Sequence, residues 1–173
     1  MSPGTADLLD ADPTGLCSCE LQLRQYGGRP MFDGYITTVR SYDDTVLIKQ
    51  VLAERNGGGV LVIDGAASHQ SALMGDKTAA MAAENGWVGI VINGLVRDVD
   101  ALSRLPIGIK ALGSNPRKPR QDGQGIVNIP VSFGAVTFVP GTHLWSDADG
   151  VIVELPRRVN RRDLDLRAKL GRR

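Results

Sequence analysis

The sequence predicts an α/β fold built on a parallel sheet, and three observations carry that prediction. Short apolar, β-branched runs recur between Val60 and Leu112. Helix-forming segments separate them, each with its own stop residue. The resulting order (strand, helix, strand, helix, strand) closes within about sixty residues, so parallel pairing through right-handed crossovers is the natural outcome.

The elements follow in chain order. Gly57-Gly58-Gly59 ends one segment, and Val60-Leu61-Val62-Ile63 reads as a buried strand stopping at Asp64-Gly65. Ser71 to Asn85 reads as a helix, because its interior is alanine-rich and Asn85-Gly86 is a good stop. Trp87 to Asn93 is a second buried strand. Gly94 to Asp98 is expected as a loop, Val99 to Leu105 as a short helix stopped by Pro106, and Ile107 to Leu112 as a third strand. Asn115 to Gly125 is rich in Pro, Gly and charge, so it is a surface loop. The pattern then turns β-rich, with short strands at Ile126 to Val131, Ala135 to Val139 and Val151 to Leu155 and no helix before Pro156.

Composition excludes several classes. A chain of 173 residues with 42% apolar and 23% charged residues suits one soluble domain with a substantial core. A net charge of +1 and only 5% aromatics give no expectation of direct DNA binding. Met1 to Pro13 lacks the apolar run of a signal peptide, and no stretch is long enough to span a membrane. Cys17 and Cys19 lie two apart, so a strand would turn both to one face. Ordinary buried thiols in a reducing cytoplasmic setting fit that spacing better than a disulfide framework. The domain is expected over residues 1–156. Residues 157–173 hold eight Lys/Arg against two Asp, leaving the remainder with 12 basic against 17 acidic residues. This zone reads as a solvated tail or terminal helix, or as a docking arm for an acidic partner.

Two segments follow the carboxyl ends of strands, where open α/β sheets bind ligands. The first is Gly75-Asp76-Lys77-Thr78 at the start of the alanine-rich helix. Free N–H groups and the helix dipole suit a carboxylate there, and Gly75 would let it approach the backbone; the plain alternative is a turn with an N-terminal acid. The second is Arg97-Asp98. Asp98 offers a hard oxygen to Mg²⁺ or Mn²⁺ and Arg97 a fork of donors to an oxyanion; the plain alternative is a surface ion pair. His69 and His143 are the only histidines, so a histidine-bound zinc is not expected. Ser68 and Ser71 lack the glycines of a nucleophile elbow. Gly57-Gly58-Gly59 precedes its strand, so it is no dinucleotide fingerprint.

The stretch GGGVLVIDG…ALMGDKTAAMAAENGWVGIVINGLVRDVDAL…IGIKALGSNPRK resembles the family of the regulator of ribonuclease activity A (RraA), which also contains 4-hydroxy-4-methyl-2-oxoglutarate aldolases. Asp76, then the twenty residues Lys77 to Val96, then Arg97-Asp98 match the family's diagnostic spacing, and Asp100 fits the acidic position that often follows. Cys19 to Arg29 looks like the family's N-terminal segment. Val139-Pro140-Gly141 and Asp147 to Val151 look like its C-terminal hairpin. The resemblance therefore covers residues 7 to 155.

It implies a three-layer β/β/α fold of the swivelling-domain type, usually a homotrimer with active sites near subunit boundaries. It further implies that Gly75 to Thr78 hold the carboxylate of a pyruvate-like 2-keto acid. Arg97 would bind the keto oxygen, Asp98 would hold a divalent cation partly through water, and Asp76 would orient a water. The implied chemistry is aldol cleavage and oxaloacetate decarboxylation through one pyruvate enolate. Shorter members instead inhibit a ribonuclease of the ribonuclease E type, and Arg117, Lys118 and Arg120 leave room for such a partner. A quinone-pathway methyltransferase label, attached to similar sequences, finds no glycine-rich cofactor loop here. Two departures stand out. The family's Pro-Gly-Asp is Pro140-Gly141-Thr142, and the basic C-terminal extension offers only Asp163 or Asp165 as an acid for a neighbouring site.

Overall fold

The computed structural model describes residues 3–156, so the basic C-terminal zone lies outside the described residues. The elements are α1 (Thr5–Ala11), β1 (Leu16–Ser18), β2 (Arg24–Gln25), β3 (Phe32–Arg40), α2 (Val46–Ala53), β4 (Val60–Asp64), β5 (Ala72–Met74) and α3 (Asp76–Glu84). They continue with β6 (Gly89–Val96), α4 (Val99–Leu102), β7 (Gly108–Ser114), β8 (Ile126–Val127), β9 (Val131–Phe133), β10 (Val136–Phe138), β11 (His143–Ser146) and β12 (Val151–Glu154).

The large sheet runs β1-β12-β11-β3-β4-β6-β7-β2, with β5 also on β6 and β8 on β3. Its centre, β3-β4-β6-β7, is parallel, as the alternation of strands and helices requires. The antiparallel pairs flank it.

Strand β4 explains the layering. Leu61 and Ile63 enter one apolar cluster, Val60 and Val62 the other, and all four are fully buried. Ile48 and Leu52 of α2 and Ala79 and Ala82 of α3 cover the first face. The β9–β10 hairpin covers the second with Val131, Phe133, Val136 and Phe138. Burial on both faces is why the central strands read as unbroken apolar runs. The result is a β/β/α sandwich.

A registered glycine pair, Gly89 of β6 and Gly108 of β7, forms a slot for the Phe32 ring. A Cβ on Gly89 would lie 2.0 Å from Phe32 Cδ2, and one on Gly108 would lie 1.9 Å from Cδ1. Only hydrogen leaves room for an aromatic ring flat on the sheet at this point.

The N-terminus is fastened through Asp147. Its carboxylate accepts the Thr5 N–H at 2.6 Å and the Thr5 hydroxyl at 2.7 Å, and its main-chain oxygen accepts Lys110 Nζ at 2.6 Å. Burial pushes the Asp147 carboxyl up, but the donors of Thr5, Asp149 and Gly150 outweigh it and hold it below the usual range. Burial lowers the Lys110 amine, and Asp147 and Asp149 restore part of that shift.

Several expected boundaries move. The helix expected from Ser71 starts only at Asp76, because Ala72-Leu73-Met74 is taken up as β5 beside β6. Strand β6 runs through Gly94-Leu95-Val96, expected as loop, because β5 and β7 bond it from both sides. The helix after Asp98 ends at Leu102 rather than Leu105. Ile126 to Val131 is two strands, parted where Asn128 turns left-handed with φ 58°. Cys17 and Cys19 are free, and both pack against the second cluster, on one face as expected. At Pro140-Gly141-Thr142, Gly141 has φ 84° and the Thr142 hydroxyl closes the turn on Val139 O at 2.8 Å. No helix among the described residues is long and apolar enough to cross a membrane.

Candidate functional site

The C-terminal ends of β3, β5, β6 and β7 open on one side of the sheet, and a cleft of about 260 Å³ lies there. The structure brings Gly75, Asp76, Lys77, Thr78, Arg97 and Asp98 together in it. These are the six residues that the sequence singled out from two separate segments.

Each is positioned for a local reason. Met74 ends β5, and its carbonyl accepts the Arg97 N–H at 2.9 Å, which sets the two segments side by side. Gly75 caps α3 in extended conformation without a side-chain capping bond. Of the first-turn amides of α3, that of Lys77 donates to Asp76 Oδ1 at 2.7 Å, which leaves those of Asp76 and Thr78 for the cleft, with the positive end of the helix dipole behind them. A Cβ at Gly75 would sit 2.7 Å from Asp98 Oδ2 and 3.3 Å from Arg97 Cγ, so the missing side chain is what admits the pair. Asp98 has φ 59° and ψ 41°, left-handed values that aspartate tolerates better than most residues. It makes no capping bond to α4. Its Oδ2 instead meets Arg97 Nε at 3.2 Å, while Arg97 also donates to Pro116 O at 3.4 Å. Both side chains keep about a third of their surface open (29% and 35%), so an incoming ligand can reach them.

The rest of the cleft comes from residues the sequence did not single out as a site. Thr45 and Lys49 enter with α2, and Lys118, Pro119 and Gln121 with the segment after β7. Lys118 was legible only as part of a basic loop. Lys49 had a signal: Asp44-Thr45 before the apolar run Val46-Leu47-Ile48 marks a helix start, and Lys49 lies in its first turn.

The segment after β7 crosses the top of the sheet back to β3 and roofs the cleft. Asn115 bonds Val96 O and His69 O, and Arg117 O accepts the Ala72 N–H. Arg120 N–H donates to Asp43 O at 2.7 Å. Asp43 is buried and accepts the Ser68 and Ser71 hydroxyls, so those serines serve loop order. The buried Asp44 accepts the N–H groups of Val46, Asp122, Gly123 and Gln124 at 2.7–3.3 Å. Burial pushes its carboxyl up, but these four donors win and hold it below the usual range.

A lowered folded pKa places that stabilisation above the unfolded carboxylate value, and it is lost as pH falls through the folded value. Asp44→Ala is therefore expected to cost about 2 kcal/mol at pH 7, since it orphans buried donors. Urea melts at pH 7 and near pH 3 check this: the gap between wild type and variant narrows at the lower pH.

The donor set defines what cation would fit. Among the described residues no three His, Cys, Asp or Glu side chains converge, so a zinc-type cage is not formed. Two carboxylates, Asp76 and Asp98, line the cleft, and Asp98, which caps no helix and lies beside the start of α3, would suit a magnesium-type ion, which keeps waters and takes one or two carboxylates plus ligand oxygens.

Fold and cleft together define the class: a β/β/α domain with an open cleft at the carboxyl ends of its parallel strands. The chain belongs to the RraA-like family, whose model, described as Aldolase/RraA, matches residues 5–153. A Geobacillus kaustophilus structure described as S-adenosylmethionine:2-dimethylmenaquinone methyltransferase is 41% identical. The alignment covers 88% of this chain and 94% of that one, with a TM-score of 0.86. The RNA-processing inhibitor RraA from Thermus is 37% identical, over 92% of this chain and 98% of that one, also at 0.86. RraAS2 of Streptomyces coelicolor, described as an unusual member of the RNase ES inhibitor RraA family, shares the fold at 23% identity and a TM-score of 0.69; coverage is 96% and 84%.

Proposed function

We propose that the protein is a metal-dependent aldolase that cleaves 4-hydroxy-4-methyl-2-oxoglutarate-type substrates to pyruvate and decarboxylates oxaloacetate at the same site. The observation that carries this reading is the convergence of the α3 N-terminus, Arg97 and Asp98 in one cleft. The RraA-like family holds both aldolases and ribonuclease inhibitors, and the chemistry of this cleft favours the first.

The α3 amides of Gly75 to Thr78 receive the substrate's C1 carboxylate. Arg97 directs its N–H groups at the 2-keto oxygen, where negative charge grows as the carbon–carbon bond breaks. Asp98 would hold the divalent cation, Mg²⁺ or Mn²⁺, whose chemistry is electron withdrawal from that same keto group. Bond cleavage leaves a pyruvate enolate, and Arg97 offsets its charge. Asp76, in the first turn of α3, orients a water that carries the proton to or from the reacting carbon. Lys77 lies on the exposed side and forms no Schiff base in this scheme.

Assembly as a homotrimer in the cytoplasm completes the proposal. The exposed Tyr35, Tyr42 and Met31 supply apolar surface for subunit contact. A second reading, regulation of a ribonuclease, has one observation in its favour: Arg117, Lys118 and Arg120 present an exposed basic stretch, and the Thermus relative is an RNA-processing inhibitor.

The test is pyruvate release from oxaloacetate and from 4-hydroxy-4-methyl-2-oxoglutarate, with Mg²⁺ or Mn²⁺ and again with a chelator. Release above the metal-only blank, abolished by the chelator, is expected. No release from either substrate by the folded protein would transfer the assignment to the regulator.

A further inference from the structure

The cleft carries more positive charge than a pyruvate-like group uses. Its lining holds Lys49, Lys77, Arg97 and Lys118 against Asp76 and Asp98, four cations to two carboxylates. Among the described residues neither the Lys49 nor the Lys118 amine appears in an ion pair, and neither donates a hydrogen bond to the protein. Both come from elements other than those bearing the anion-accepting end: Lys49 from α2, Lys118 from the roof segment. The roof is fixed by main-chain bonds to Asp43 and Asp44, so Lys118 is held over the cleft by order already in place.

We infer that Lys49 and Lys118 receive a second carboxylate at the far end of the substrate, and that they set the balance between the two reactions of the proposed site. This rests on the aldolase reading above. In 4-hydroxy-4-methyl-2-oxoglutarate the C3–C4 bond breaks, and its electron pair passes to C3 and the 2-keto group as pyruvate enolate. The C4 hydroxyl gives up its proton and becomes a ketone. The C5 carboxylate departs unchanged, still charged, on that second pyruvate. The enolate then takes a proton at C3, so one substrate gives two pyruvates.

A cation on the C5 carboxylate therefore binds ground state and transition state alike, and acts on KM. Oxaloacetate differs. Its far carboxylate is the leaving group, and its charge must flow into the enolate as neutral CO₂ departs. A cation on it holds the ground state more firmly than the transition state and restrains decarboxylation. The two lysines thus favour aldol cleavage of a dicarboxylic 2-keto acid and hold back loss of CO₂.

The test compares Lys49→Gln, Lys118→Gln and the double variant with wild type, all with Mg²⁺. Three rates are read: aldol cleavage, oxaloacetate decarboxylation, and exchange of pyruvate methyl protons in D₂O. The last reports enolate chemistry on a substrate with no far carboxylate. In the double variant the aldol KM should rise roughly tenfold, the size expected for loss of charge-assisted bonds. The ratio of aldol kcat/KM to pyruvate exchange should fall by a similar factor, and the ratio of decarboxylation kcat to aldol kcat should rise. Unchanged ratios would overturn the inference and leave the enolate site standing. Absence of pyruvate exchange in wild type would overturn the aldolase reading and this inference with it.

Discussion

Arg97→Ala is expected to lower pyruvate formation by a factor on the order of 10³ while leaving the fold intact. The rate effect follows from placing the guanidinium where charge develops, since removal of one such donor costs about 10²–10³ in kcat. The intact fold follows from its few bonds. Among the described residues the side chain hydrogen-bonds to Asp98 and, at 3.4 Å, to Pro116 O, and exposed pairs of this kind are worth about 0–1 kcal/mol. Thermal melts should agree within a few degrees, while initial rates with oxaloacetate and Mg²⁺ separate the proteins. Arg97→Lys sharpens the test, because lysine keeps the charge but loses the planar fork, and intermediate activity is expected. Asp98→Ala should likewise abolish turnover in a folded protein. Full activity in either alanine variant would refute the assignment of the site.

Phe32→Ala should do the reverse, with a cost of about 3–5 kcal/mol in stability and no defect in chemistry per folded molecule. The ring is 3% exposed and fills the slot made by Gly89 and Gly108. No neighbour can close the gap, because both strands under it lack side chains there and are fixed by their own register. For a chain of this size the thermal midpoint should fall by roughly 10 °C, and urea unfolding followed by circular dichroism measures it directly. Gly108→Ala probes the same slot from below. Its new Cβ meets the ring, so strain of about 1–3 kcal/mol is expected. Destabilisation well under 1 kcal/mol for Phe32→Ala would mean that the slot is filled by something else.

The sequence made the central sheet legible because its strands are buried on both faces. Val60 to Ile63 and Ile107 to Leu112 need no tertiary information to read as core strands. Strand β3 is hard to read from sequence for the opposite reason: Asp33, Tyr35 and Arg40 face outward, and Gly34 interrupts the apolar side of the alternation. Ala72-Leu73-Met74 looked like the first turn of a helix, since only the edge offered by Leu95 and Val96 makes it a strand. Half of the cleft was legible from the 76–98 spacing, which a β5–α3–β6 unit spans in one crossover. The other half was not, because Lys49 and Lys118 reach it through contacts between Asp43, Asp44 and residues near 120, and such pairings leave no mark on local pattern.

The roof segment is held mainly by its backbone. Apart from the Asn115 side-chain bond to His69 O, its docking bonds are made by main-chain groups of Arg117, Arg120, Asp122, Gly123 and Gln124, whose partners are fixed features of β5 and the Asp43-Asp44-Thr45 turn. The side chains of Lys118, Pro119 and Gln121 are therefore free of anchoring duty. Lys118, Pro119 and Gln121 can be exchanged in evolution or by design without disturbing how the segment sits. Under the proposed function, a change of guest would then call for new letters on the roof and at Lys49 but no new architecture.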